Sequence, residues 1–220
     1  MWAARNELTD RDFAIKFLLP SLAQSKEALH RFFLEARACG QIKHPAVVNV
    51  YDMGQAEDGS PFLVFELLDG ESLDQRLARD GTLEPEFACE AFVSVAKALD
   101  LAHSQGIIHR DLKPANIFLH RDPDGNIVAK ILDFGISKIF ETNNNFTLTR
   151  TGTVVGSPAY MAPEQASGRE DLDGRADVWS LGVVMYEALS GTLPHEAPNY
   201  NALMVRILTQ DVDPLLTRKP

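Results

Sequence analysis

The chain carries His109-Arg110-Asp111-Leu112-Lys113-Pro114-Ala115-Asn116, followed downstream by Asp133-Phe134-Gly135, and this pattern is its most telling feature. It places a lone carboxylate, a lysine, and then an amide and a second carboxylate in two short polar islands between apolar segments. That set meets the needs of phosphoryl transfer. A carboxylate can hold an acceptor hydroxyl, a cation can meet the moving phosphoryl group, and hard oxygen ligands can take magnesium.

Bulk composition sets the outer limits. With 45% hydrophobic and 24% charged residues, the 220-residue chain is ordinary for a globular protein and can build one sizeable core or two small lobes. A net charge of −10 argues against a nucleic-acid-binding face, because phosphate backbones select for basic surfaces. Cys39 and Cys89 have no metal-like or redox-like spacing, so unpaired thiols in a reducing compartment are expected. No apolar run reaches bilayer-spanning length, and Met1 to Asp10 is too polar for a signal peptide; a cytoplasmic location is expected.

Outward from the opening stretch, periodicity predicts the elements. Residues 11–19 read as a strand with Lys16 inside it, and residues 26–42 as a helix with Leu29, Phe32, Phe33, Ala36 and Cys39 at helical spacing. His44-Pro45 stops that helix. Residues 46–51 and 61–67 read as strands across the turn Glu57-Asp58-Gly59-Ser60. Asp69-Gly70 looks like a hinge into a helical region. A long helix over 85–104 opens on Pro85 and closes at Gly106. Short strands are expected at 107–108, 117–119 and 127–132, a polar loop at 141–153, and a helix buried on most sides at 176–190. Asp122-Pro-Asp-Gly-Asn is a hairpin turn, since a calcium-loop register would put His120 and Ile131 at ligand positions. His30, His103, His120 and His195 show no metal spacing and read as surface or packing residues.

The eight residues from His109 to Asn116, with Asp-Phe-Gly after a further strand, resemble the eukaryotic-type protein kinase family. Residues 40–54 look most like its bacterial members. The resemblance implies an α+β, two-lobed fold, with a small β-rich lobe over residues 1–68 and a larger helical lobe over 69–220. It implies a protein serine/threonine kinase using ATP and Mg²⁺. Asp111 would orient the acceptor hydroxyl, Lys113 would meet the γ-phosphate and mark the serine/threonine subgroup, and Asn116 and Asp133 would hold the metal. Lys16, in Phe13-Ala14-Ile15-Lys16, resembles the family's nucleotide-binding lysine, with Glu35 on the next helix as its partner. Glu66 C=O and Leu68 N–H would hold adenine, Phe65 would narrow the pocket, and Ala14 and Phe118 would lie above and below the ring.

Gly156-Ser-Pro-Ala-Tyr-Met-Ala-Pro-Glu164 resembles the segment that docks the peptide substrate, with Ser157 where threonine is more usual. Thr149, Thr151 and Thr153 are candidate phosphorylation sites, exchanged within a kinase dimer, with Arg110 and Lys138 as cations for the phosphate. Asp177 would brace the catalytic loop from beneath. Two departures stand out. No glycine precedes Lys16, so the phosphate-covering loop is expected to be missing and the last helices of the large lobe also; a chain so bounded is expected to be impaired. Ala115 replaces an acidic residue that helps many relatives select arginine. Two other readings remain beside the kinase: a non-catalytic scaffold of the same fold, and a small-molecule phosphotransferase, against which the peptide-docking pattern counts.

Overall fold

The computed structural model describes residues 1–18, 26–134, 158–169 and 171–218. The expected polar loop, Gly135, Lys138, Thr149, Thr151, Thr153, Gly156 and Ser157 lie outside the described residues, as do the side chains of His30 and Glu35.

A four-stranded antiparallel sheet opens the chain. It is formed by β1 (Trp2–Asn6), β2 (Arg11–Phe17), β3 (Val50–Gln55) and β4 (Pro61–Glu66), in the order β1-β2-β4-β3. Helix α1 (Lys26–Gln41) packs on it, and Phe32 and Ala36 join Ala14, Leu18, Val48, Leu63 and Phe65 in a buried cluster. The alternation in β4 is of the half-buried kind: Pro61, Leu63 and Phe65 are buried and their neighbours are not.

One expected strand is displaced. Residues 46–48 are buried but lie outside the sheet, and β3 begins at Val50 with a register shift before Asp52. The turn at His44-Pro45 delivers Ala46–Val48 alongside Ile131 instead. There Val48 N–H donates to Ile131 O at 3.0 Å and Ile131 N–H donates to Ala46 O at 2.8 Å, a parallel bridge centred on Val47 and Ile131. The backbone polar groups are satisfied by a strand remote in sequence, which the local apolar run cannot disclose.

A second sheet follows, with β5 (Gly70–Ser72), β6 (Ile117–Arg121) and β7 (Ile127–Ile131) in that order. Gly70 is required: its φ is +134°, and a Cβ there would collide with the Leu119 carbonyl. Helix α2 (Leu73–Asp80) starts immediately, with the Gln75 side chain accepting from Ser72 N–H at 3.0 Å. Helix α3 (Pro85–Ser104) matches its expected bounds. It buries Ala88, Phe92, Val95, Ala98, Leu99 and Ala102, one face of the helix, against the second sheet and a central helix. Ile107 and Ile108 form no strand; Ile107 N–H returns to Ala102 O at 3.0 Å and closes the helix.

Helices α4 (Pro163–Ala166), α5 (Arg175–Ser190), α6 (Tyr200–Thr209) and α7 (Leu215–Arg218) complete the described chain. Helix α5 buries Ala176, Asp177, Ser180, Leu181, Val183, Val184 and Ala188, while Val178 faces outward at 62% exposure. A sheet-rich first part and a helix-rich second part make the fold α+β, as expected.

Candidate active site

Three elements converge on the catalytic loop. Its 3-10 turn, Pro114–Asn116, feeds β6, so Asn116 is fixed by the strand that follows. Asn116 Nδ2 donates to Asp111 O at 2.8 Å and to Asp111 Oδ2 at 3.0 Å, and the Lys113 ammonium meets the same Oδ2 at 2.8 Å. One carboxylate oxygen is thus held by an amide and an ammonium, and among the described residues Asp111 Oδ1 and Asn116 Oδ1 are left as acceptors. Asn116 O in turn accepts from Leu132 N–H at 2.8 Å, tying this loop to the segment that ends in Asp133.

Asp133 faces the loop from the end of β7. Its Oδ1 accepts from the Lys16 ammonium at 2.6 Å, and both side chains keep 28% exposure. The structure therefore brings Lys16, Asp133, Asn116, Asp111 and Lys113 into two linked groups. Glu35 lies on α1, and its side chain is outside the described residues. Arg110 and Asp133 both hold positive φ, 67° and 51°. For non-glycine residues that conformation costs on the order of 1–3 kcal/mol and persists only where surroundings enforce it.

Those surroundings are beneath the loop. Asp177, fully buried in the first turn of α5, accepts from His109 N–H at 2.8 Å, Arg110 N–H at 2.7 Å and His103 Nε2 at 2.7 Å. Burial alone would raise this carboxyl; the His103 hydrogen bond, the favourable electrostatics of the neighbouring His109 ring and the two amides outweigh it and hold the group below the ordinary carboxylate value. His109 is itself fully buried. Its Nε2 bonds to Leu132 O at 2.9 Å, its Nδ1 accepts from Asp111 N–H at 3.3 Å, and its ring meets Phe134 edge-on at 5.0 Å between centroids. Cys39 reaches the same place from α1, with Sγ donating to Phe134 O at 3.2 Å.

His103 corrects the reading of the histidines: it is neither a surface nor a filler residue but the third donor to Asp177. Gly174 makes room for it, since a Cβ there would overlap the imidazole. Gln165 also went unread. Its Oε1 accepts from Ala162 N–H and its Nε2 donates to Arg110 O, both at 3.0 Å, joining the Ala162–Ala166 segment to the catalytic loop. Nothing local marks either residue, because the partners lie 74 and 55 positions away.

At the other side of the site, Glu66 ends β4, and the chain leaves the ladder through Leu67–Asp69. Among the described residues, no protein acceptor meets the Leu68 amide. Ala14 and Phe65 are cross-strand partners, both buried, and Phe118 is half-buried on β6. Among the described residues, no group of three or more His, Cys, Asp or Glu side chains is arranged to hold a metal ion. The oxygens of Asn116 and Asp133 suit a hard cation that takes few protein ligands and completes its shell with phosphate and water.

Residues 2–217 match the family described as protein kinase domain. The chain belongs to that family. Relatives include the serine/threonine-protein kinase pkn3 of Myxococcus xanthus, 38% identical over the whole of this chain and 40% of its own length. The serine/threonine-protein kinase PknB of Mycolicibacterium smegmatis is 41% identical over 87% of this chain and 30% of its own. Serine/threonine-protein kinases drp72 of Corynebacterium efficiens is 40% identical over 88% and 36%. The bacterial likeness is met, and the chain spans two-fifths or less of these relatives. Kinase-family enzymes in general use ATP and Mg²⁺. No helix among the described residues is long and apolar enough to cross a membrane.

Proposed function

We propose that this chain is the catalytic part of a protein serine/threonine kinase, transferring the γ-phosphoryl group of ATP to a Ser or Thr hydroxyl of a protein. The observation that carries the proposal is the Asp111 carboxylate, held at one oxygen by Lys113 and Asn116 with its other oxygen available. In this reading Asp111 Oδ1 takes up the hydroxyl proton, and the fixed Oδ2 keeps the carboxylate oriented as the oxygen attacks. Lys113, already within reach of that carboxylate, meets the charge on the moving phosphoryl group. Lys16 exchanges Asp133 for the α- and β-phosphates, with Glu35 as its second partner. Glu66 C=O and Leu68 N–H hold adenine between Ala14 and Phe118. Mg²⁺, held by Asn116 and Asp133, supplies neutralisation of the phosphate oxygens.

The division falls near Leu68–Asp69: residues 1–68 form the small lobe and 69–220 the large one. A protein substrate would dock against Pro158–Glu164, which Gln165 ties to Arg110. Phosphorylation of Thr149, Thr151 or Thr153 by a second kinase molecule, and a cytoplasmic location, belong to the same proposal.

The test uses γ-labelled ATP, Mg²⁺ and peptides differing only in Ser, Thr or Tyr as acceptor. Label on Ser and Thr but not Tyr is expected. ATP binding with no transfer to any acceptor would make the chain a scaffold, and transfer only to small molecules would make it a different phosphotransferase.

A further inference from the structure

Lys130 is a lysine where a lysine is costly. It is 7% exposed, one residue from the end of β7, and an ammonium placed there loses its hydration unless a partner replaces the water. Its partner is Glu66, the last residue of β4 in the other sheet, at 2.8 Å from Nζ to Oε1. The same oxygen accepts from Asn49 N–H at 2.8 Å and Asn49 Nδ2 at 3.1 Å, and Glu66 N–H donates to Asn49 O at 3.1 Å. Asn49 follows the stretch clipped to Ile131, the residue after Lys130. The end of β4 is therefore fastened to β7 twice, through the ammonium and through Asn49.

Lys130 also stands directly opposite Phe118 in the β6–β7 register, and cross-strand partners share a face. One charge thus links the residue proposed to hold the base edge with β7, the strand paired to β6, on which the proposed floor of the base lies. We propose that Lys130 is a positioning residue that, through Glu66, sets the Glu66 C=O and Leu68 N–H in register for adenine. This inference rests on the proposed function, in which residues 66–68 hold the base. A carbonyl and an amide two residues apart read the donor and acceptor edge of adenine. Guanine presents the opposite polarity at the equivalent exocyclic atom. A shift in their placement therefore costs ATP selectively. The triphosphate contacts, common to ATP and GTP, are untouched.

The experiment measures binding of Mg·ATP and Mg·GTP to the full chain by calorimetry, with kcat and KM for ATP alongside. Lys130→Met is expected to weaken ATP about tenfold, the worth of one charge-assisted hydrogen bond, and to leave GTP nearly unchanged. KM should rise while kcat holds, and Lys130→Arg should keep the wild-type preference. If Lys130→Met does not fold, Lys130→Gln serves with the same readout. Equal weakening of both nucleotides, or an unchanged preference with only a lower melting temperature, overturns the proposal. Leu68→Pro, which deletes the amide donor, separates the two readings. If it abolishes the ATP preference while Lys130→Met leaves it intact, only the positioning role fails. If wild type shows no ATP preference and Leu68→Pro changes nothing, the base site itself is wrong and this inference falls with it.

Discussion

Asp111 and Asp177 are the same side chain on two sides of one loop, and their surroundings could hardly differ more. Asp177 lies underneath, without solvent exposure, and its two oxygens take two backbone amides and an imidazole. Asp111 lies on top, with its side chain 32% exposed and its side-chain partners among the described residues confined to one oxygen. The upper groups hold one another by bonds that an incoming ligand can exchange; the lower ones are locked. Capacity for chemistry sits where hydrogen bonding is incomplete, and rigidity sits where it is saturated.

The largest expected effect on stability comes from breaking the lower side. Asp177→Ala strands the His109 and Arg110 amides and the His103 imidazole, and should cost about 3–5 kcal/mol in chemical denaturation. A loss under 1 kcal/mol would mean that the loop is braced elsewhere. Crowding the same place should cost less: Gly174→Ala pushes on the His103 ring and is expected to lose about 1–3 kcal/mol, read as a lower melting temperature.

The depressed Asp177 carboxyl adds a pH dependence of defined sign. A group whose native pKa lies below its unfolded value stabilises the fold above the unfolded pKa, and this contribution is lost as the pH falls through the native value. Stability measured from pH 6 downward should therefore decline below the ordinary carboxylate range near 3.8, and part of that decline should vanish in Asp177→Asn. The smallest effect expected is at the segment proposed to dock the peptide. Tyr160 OH donates to Glu187 at 2.6 Å, so Tyr160→Phe should cost about 1 kcal/mol with little change in the rate of phosphate transfer.

The two sides also differ in what the sequence discloses. Asp111, Lys113 and Asn116 could be picked out because phosphoryl transfer would demand those residue types at short spacing, and Asp133 because Asp-Phe-Gly follows a further strand; the structure places all four near one another. Helix α3 was legible because its apolar positions alternate by fours and threes. His103, Gln165 and Lys130 were not, since each owes its importance to a partner 55 to 74 residues away. The strand expected at 46–51 failed for the same reason: Ala46–Val48 are apolar enough for a sheet, and only the fold shows that their hydrogen bonds go to Ile131.

The division of labour between the two carboxylates is tested most directly by Asp111→Asn, with phosphate transfer from labelled ATP and the melting temperature measured on the same preparation. Transfer is expected to fall on the order of 10²–10⁴-fold, as for loss of a general base, while the melting temperature stays within about 4 °C of wild type. Transfer that persists in the variant, or a rate loss that merely tracks unfolding, would contradict it.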